Sequence, residues 1–478
     1  MPLRVPLRLR VGRGPLKSNA ARPAREPDSS ADSLAWVDEF FREAGDHIFA
    51  REEDDVIILP PNQVYKANAT GIAIVRHMLA GGSVSSIPGI EQEDRALQVA
   101  EFVFRLRALY LGEPGDMPPL ETVPYSFQFT RLPILGEIAV TWRCNNACRF
   151  CYAGCGAEVQ ANTPRAVSGG SGREMSLEEM KRILQIFRND GRIPFFSFTG
   201  GEPLLRSDLE AMIGHARRLG LQVNLVTNGT LADESRARSL FRAGLRTAQV
   251  SVESPDEQVH DRLTQRPGSW RRTLEGIRAM REAGVSVQTN TTVTALTASE
   301  ASKMPAFLKG LGVSRFAMNL YIPSGVGGMN AGAREDDLFL PYSRAGDVID
   351  SVRSAARREG LMFYWYSPIP HCHYNTIARG LGNKSCAAMD GLLSVSPAGD
   401  VLPCSSYPEA MGNLLQTEFR KIWFSDRAQF FKNKRYAPPE CKGCDSFTAC
   451  QSACPLYWQH AGTAEIPSRR PAAQAAER

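Results

Sequence analysis

The chain has 478 residues, 43% of them apolar, and a formal net charge of +5. That length allows about three domains. No apolar run reaches the ~18 residues of a membrane span and no secretory h-region with a cleavage site is present, so neither a membrane protein nor an exported one is expected.

Six Arg and one Lys, with no acidic residue, fall in residues 1–25, which leaves −2 for residues 26–478. The basic character belongs to a tail and not to a folded nucleic-acid surface. Residues 1–34 are Pro/Arg/Ser-rich and read as a disordered tail. Arg4, Arg8, Arg10, Arg13, Arg22 and Arg25 suit an organelle transit peptide, but Pro2, Pro6, Pro15 and Pro23 disfavour its amphipathic helix.

Residues 35–113 form a first small domain. Strands are expected at 47–51, 56–59 and 64–67. Asn68 then opens a helix with Ile72, Ile74, Val75 and Met78 at helical spacing, closed by Gly81 and Gly82. A second helix covers 92–111, and Pro114, Pro118, Pro119 and Pro124 mark a linker over 114–134.

Residues 135–360 alternate strands and helices. Strands are expected at 137–142, 195–199, 222–227, 247–253, 286–293 and 315–320. Helices are expected at 177–189, 207–219, 232–243, 269–283, 299–310 and 343–359. Ser176 and Glu179 form a capping box for the first helix. Six such units argue for an α/β fold, a parallel sheet curled into a partial (β/α)6 barrel with its site at the C-terminal strand ends. Residues 161–172 read as a Gly/Ser/Pro-rich mobile insertion. Residues 361–462 form a Cys-rich C-terminal domain with little regular structure, and 463–478 a disordered tail.

Eleven cysteines fall in two clusters, 144–155 and 372–454. In a long chain without an export signal this reads as metal binding in a reducing, cytoplasmic compartment, not as a disulfide scaffold. Cys144, Cys148 and Cys151 are spaced C-x3-C-x2-C and followed by Tyr152. Three thiolates suit a cluster with one iron left open. A zinc knuckle or ferredoxin-like site would need a fourth local ligand, for which Cys155 could serve. One strand later, at the same end of the sheet, stands Thr199-Gly200-Gly201-Glu202-Pro203. The glycines permit close backbone approach to a ligand and the carboxylate can accept from an ammonium.

Together these elements resemble the radical S-adenosylmethionine (SAM) enzymes. The resemblance implies a [4Fe–4S] cluster on Cys144, Cys148 and Cys151. Its open iron would chelate SAM, whose reductive cleavage yields a hydrogen-abstracting 5′-deoxyadenosyl radical. It also implies SAM contacts at Phe150, Tyr152, Gly200, Gly201, Glu202 and Pro203. Softer matches fall on Asn228, Ser251, Glu253 and Asn290 at later strand ends. Many relatives carry Asp where this chain has Glu253.

Cys386-x12-Gly399-x4-Cys404 and Cys441-x2-Cys444-x5-Cys450-x3-Cys454 resemble the SPASM domain of peptide-modifying radical SAM enzymes. By that resemblance one auxiliary [4Fe–4S] cluster takes Cys372, Cys386, Cys404 and Cys454. A second takes Cys441, Cys444 and Cys450. The family's last cysteine is missing here, so the second cluster has an open iron, a ligand such as His460 or Glu465, or is absent. Zinc ribbons are the alternative. His371 and His373 read as flanking polar residues, and Cys155 as a small buried or site-lining thiol.

The first domain, through Asp55–Pro60, Tyr65–Gly71 and Gly82–Ile87, resembles the PqqD-like peptide-recognition domain. A winged-helix-like structural module is the alternative. The resemblance implies a leader peptide added to a sheet edge. The resulting expectation is a radical SAM peptide maturase, with a peptide or small-protein substrate and a low-potential ferredoxin or flavodoxin as partners. A tetrapyrrole-modifying radical SAM enzyme is the second expectation and a non-catalytic Fe–S electron carrier the third.

Overall fold

The computed structural model describes residues 34–59, 63–111, 129–155, 173–324 and 337–467. The expected basic tail, most of the Pro-rich linker, the 161–172 insertion and most of the C-terminal tail lie outside the described residues. The chain divides into two compact units, the first ending near residue 134.

In the first unit a helix (α1, Ala35–Ala44) precedes the strands. It was not among the expected elements, although Val37, Phe40, Phe41 and Ala44 recur at helical spacing and are all buried. Three antiparallel strands follow: β1 (Phe49–Arg51), β2 (Val56–Leu59) and β3 (Gln63–Lys66), in the order β1-β2-β3. β2 is buried throughout, whereas β3 at the edge is half-buried to exposed. Asn68 caps α2 (Ala69–Leu79), its Oδ1 accepting from the Gly71 N–H at 2.8 Å. α3 (Glu93–Leu111) completes the core.

Arg51 and Asp54 form a buried ion pair, with Nη2 and Oδ2 2.8 Å apart. Arg51 also donates to the Leu132 and Pro133 carbonyls, at 3.1 and 2.6 Å. Asp54 accepts from the Arg131 N–H at 2.8 Å. Residues 131–133, expected as linker, are therefore bound into this unit.

The second unit is organised by one ten-stranded sheet, ordered β10-β9-β8-β7-β6-β5-β4-β11-β12-β13. β4 (Leu135–Ala139), β5 (Phe195–Thr199), β6 (Gln222–Thr227), β7 (Thr247–Ser251), β8 (Ser286–Val293), β9 (Arg315–Leu320) and β10 (Met362–Trp365) run parallel in chain order. Helices intervene, beginning with Leu177–Asn189, whose Ser176/Glu179 capping box is formed. A helix at Glu257–Thr264, not expected from the sequence, follows β7. Its signal was an Asp256 cap with buried His260, Leu263 and Thr264 at helical spacing.

The Cys-rich region is more regular than expected. β11 (Leu392–Val395) pairs parallel with β4, and β12 (Asp400–Leu402) and β13 (Gly412–Asn413) extend the same sheet. The central strands alternate in burial: Ala248 and Val250 are buried on β7, while Thr247, Gln249 and Ser251 are half-buried. β8 behaves likewise, with Gln288, Asn290 and Thr292 half-buried. Parallel strands covered on both faces read as continuous apolar runs. The alternation here leaves a polar face lined by Ser197, Asn224, Gln249, Ser251, Gln288 and Asn290.

Candidate functional site

The loop leaving β4 is held from two sides. Gly201 and Glu202 donate backbone N–H groups to the Thr141 and Arg143 carbonyls, at 2.7 and 2.8 Å. Ala147 and Arg149 donate to the Thr264 and Leu263 carbonyls, at 3.0 and 2.9 Å. The loop therefore hangs between the β5 end and the C-terminus of the Glu257–Thr264 helix. Gly200 sits at φ +134°, and a Cβ there would run into the Thr141 carbonyl oxygen. A Cβ at Gly201 would meet the Arg143 carbonyl oxygen. The two glycines are thus required by the packing of one loop backbone on another.

The three thiols of this loop stand together. Cys144 is pushed up to about 12, foremost by burial, with Glu202 and Cys151 adding to it. Cys148 is raised by burial and then by Cys151, Cys144 and Glu253. Cys151 is the exception. Its thiol is lowered, chiefly by a hydrogen bond from the Cys155 thiol, and the Cys155 N–H lies 3.4 Å from its sulfur. Cys155 is 4% exposed and lines this loop from behind.

The acidic groups are buried and engaged. Glu202 is fully buried, accepting from the Thr227 hydroxyl at 2.6 Å, the Leu204 N–H at 2.9 Å and the Asn228 N–H at 2.7 Å. Burial raises its carboxyl against the pull of these donors. Glu253 accepts from the Thr292 N–H at 2.8 Å and is pushed up to about 8 by burial. Asn228 bridges to the loop, its Nδ2 donating to Asn145 Oδ1 at 2.9 Å and lying 3.9 Å from the Cys144 sulfur. Asn290 and Ser251 are register neighbours, and the buried Asn290 Oδ1 has no hydrogen-bond partner among the described residues.

Phe150 packs against Leu263, Tyr321 and Leu338. Tyr152 packs with Ala139, Trp142, Cys155 and Leu402, and burial followed by Glu137 raises its hydroxyl. Pro203 begins the turn Pro203–Leu205. Sequence reasoning missed Arg206. It forks onto Asp208 and donates to the Met175 and Val140 carbonyls, at 3.0 and 3.3 Å, pinning the start of the thiol loop. Only the proximity of a cation to Glu202-Pro203 could have flagged it.

The late cysteines also gather in two groups. Cys404 is raised by burial and then by Cys386, Cys454 and Glu137. Cys454 is likewise raised by burial and then by Cys386. The fully buried Lys434 donates to the Cys386 carbonyl at 2.8 Å. Cys441 is pushed up to about 12 by burial, then by Cys450, Cys372 and Cys444. Cys372, expected with Cys386, Cys404 and Cys454, lies beside Cys450 and Cys444, where the His371 N–H donates to the Cys450 sulfur at 3.3 Å. Glu465 is engaged by Tyr457 and by the Ser343 N–H, and His460 is exposed.

All eleven cysteines are free thiols. Among the described residues no three His, Cys, Asp or Glu side chains converge closely enough to hold a single metal ion. Groups of three and four soft, clustered thiols are the donor sets an iron–sulfur cluster takes. No helix among the described residues is long and apolar enough to cross a membrane.

The family model described as "Radical SAM superfamily" matches residues 138–301, and the "Iron-sulfur cluster-binding domain" model, SPASM, matches residues 386–445. An AdoMet-dependent heme synthase of Oleidesulfovibrio alaskensis is 28% identical over 333 residues, 65% of this chain and 80% of the relative. A PqqA peptide cyclase of Xanthomonas axonopodis pv. citri is 28% identical over 320 residues, again 65% and 80%. Among solved structures, Streptococcus suis SuiB bound to precursor peptide SuiA superposes with a TM-score of 0.61 at 17% identity. That match covers 86% of this chain and 95% of SuiB.

Proposed function

We propose that this chain, which carries a radical SAM domain followed by a SPASM iron–sulfur domain, is an enzyme that matures a ribosomally made peptide or small protein. One observation carries the reading. Residues 135–478 are about 72% of the chain, so a structural match covering 86% of it reaches into the N-terminal unit. The protein matched over that span is SuiB, in a structure holding its precursor peptide. PqqA peptide cyclases among the relatives support the same substrate class.

In this reading Cys144, Cys148 and Cys151 hold a [4Fe–4S] cluster, and Phe150, Tyr152, Gly200–Pro203, Asn228, Ser251, Glu253 and Asn290 surround SAM. When bound, these groups supply an electron and the 5′-deoxyadenosyl radical that takes a hydrogen atom from the substrate. The chain's own residues shape the place where this happens. Glu202 fixes the β6 end against the thiol loop, and Asn228 ties that loop through Asn145. The Asn290 side-chain Oδ1, which has no hydrogen-bond partner among the described residues, offers an acceptor on the polar face. β3 presents an edge of the small sheet to which an extended leader peptide can add. A low-potential ferredoxin or flavodoxin supplies electrons. Free clustered cysteines suit the cytoplasm.

The heme-synthase relatives support a second reading, a tetrapyrrole-modifying enzyme. Anaerobic reconstitution with iron, sulfide, SAM and dithionite, with a short peptide encoded beside this chain or with a porphyrin, separates the two. The expected result is 5′-deoxyadenosine together with a change in peptide mass. No 5′-deoxyadenosine overturns the enzyme reading, and turnover of the porphyrin alone transfers the protein to the second.

A further inference from the structure

The missing last cysteine of the SPASM pattern leaves one auxiliary cluster short of a thiolate, and the fold decides which. Trp365 ends β10, and the chain then turns at Pro370, whose carbonyl accepts from both the His373 and Tyr374 N–H groups at 3.0 Å. Tyr374 locks this turn: its ring is buried and its hydroxyl donates to Asp350 at 2.6 Å. The turn sets the His371 N–H on the Cys450 sulfur and Cys372 beside Cys450 and Cys444.

A second feature separates the two groups. Gln451, Ser452 and Ala453 adopt φ of +55°, +61° and +60° and are fully buried. Left-handed backbone is disfavoured at non-glycine residues, and three in a row persist only where the surroundings impose them. This run reverses the chain between Cys450 and Cys454. Cys450 joins Cys372, Cys441 and Cys444, while Cys454 turns to Cys386 and Cys404.

We infer that Cys372 is the fourth thiolate of the cluster on Cys441, Cys444 and Cys450, and that the incomplete auxiliary cluster is the one on Cys386, Cys404 and Cys454. The assignment rests on the SPASM reading of the late cysteines. No further cysteine is left for the incomplete group, because Cys155 stands against Cys151. Other groups at it include Glu137, which accepts from the Ser405 N–H at 3.0 Å, Lys434, which donates to the Cys386 carbonyl and to Asp390, and the buried hydroxyls of Tyr342 and Tyr436. The open iron, available to a substrate thiol or other small donor, thus belongs to the group beside β4, the strand that carries the SAM-cluster loop.

The test uses the full chain with Cys144, Cys148 and Cys151 changed to Ala, so that only auxiliary clusters contribute. Two parents are made from it, one with Cys386→Ala and Cys404→Ala, the other with Cys441→Ala and Cys444→Ala. Cys372→Ala is added to each, and iron content and the electron paramagnetic resonance spectrum of the reduced protein are read. Loss or shift of the signal, with lower iron, is expected in the first parent only. A change in the second parent only, or in neither, overturns the assignment. If neither parent holds iron while both keep a cooperative thermal transition, the SPASM reading itself fails. Cyanide gives an independent check: it should shift the spectrum of the second parent and not of the first, and the reverse pattern overturns the assignment.

Discussion

The His371 N–H lies 3.3 Å from the Cys450 sulfur, across a sequence separation of 79 residues. This contact brings Cys372 to the second group of late cysteines and away from Cys386, to which it is much nearer in sequence. The spacing of cysteines therefore does not by itself assign ligands. The turn at Pro370 and the left-handed run after Cys450 set which cysteines stand together, because each fixes the course of the backbone there.

Removal of one thiol of the first loop should silence the chemistry without unfolding the sheet. Cys148→Ala should abolish 5′-deoxyadenosine on anaerobic incubation with SAM and dithionite and remove about four iron atoms per chain. The thermal midpoint of the iron-free protein should stay nearly unchanged, since the loop keeps its backbone bonds to Leu263 and Thr264. Chromatography of the nucleoside product and an iron assay check both halves.

Gly200→Ala should be far more damaging than its size suggests. The residue sits at φ +134°, and the new methyl meets the Thr141 carbonyl oxygen. Strain of roughly 1–3 kcal/mol from the backbone conformation is joined by a contact that backbone cannot easily relieve. Denaturant unfolding of the iron-free chain should show a lower midpoint, and reconstitution should recover less iron than in the parent.

Glu202→Gln tests a buried acceptor that serves three donors. A glutamine has one acceptor oxygen, and its amide N–H groups would face donors at Leu204, Thr227 or Asn228. The expected loss is about 1–3 kcal/mol from unsatisfied buried groups, read as a lower denaturant midpoint. The movement of Asn228 should also weaken SAM binding, measurable by calorimetry on the reconstituted protein.

Arg51→Ala should loosen the first unit. It leaves Asp54 buried without its partner and frees the Leu132 and Pro133 carbonyls. Breaking one side of a buried ion pair costs about 3–5 kcal/mol. Hydrogen exchange should rise in the β1–β3 sheet and not in β5–β8. SAM cleavage without peptide should persist while turnover of the peptide falls.

Much of the second unit was legible from local signals. Strands 195–199, 222–227, 286–293 and 315–320 stand where the sequence places them. The Ser176/Glu179 box forms because both bonds lie within one helical turn. What escaped was short or overridden. The Glu257–Thr264 helix spans only eight residues, and β11, β12 and β13 are short segments stabilised by pairing in series, β11 on β4, β12 on β11 and β13 on β12. α1 was written in Val37, Phe40, Phe41 and Ala44 but adjoined a low-complexity tail.

By itself the sequence determined the chemistry on offer: three thiols followed by Tyr152, the Gly-Gly-Glu-Pro element one strand later, and seven late cysteines. Those are matters of residue type and local spacing, and local spacing survives in any fold. Only the tertiary structure decided that the two glycines are held by the Thr141 and Arg143 carbonyls, that Glu202 serves three internal donors, and that Cys372 and Cys386 belong to different groups. The reason is physical. A thiol's partners are set by where the backbone turns in space, and the turns that matter here depend on contacts between residues tens of positions apart.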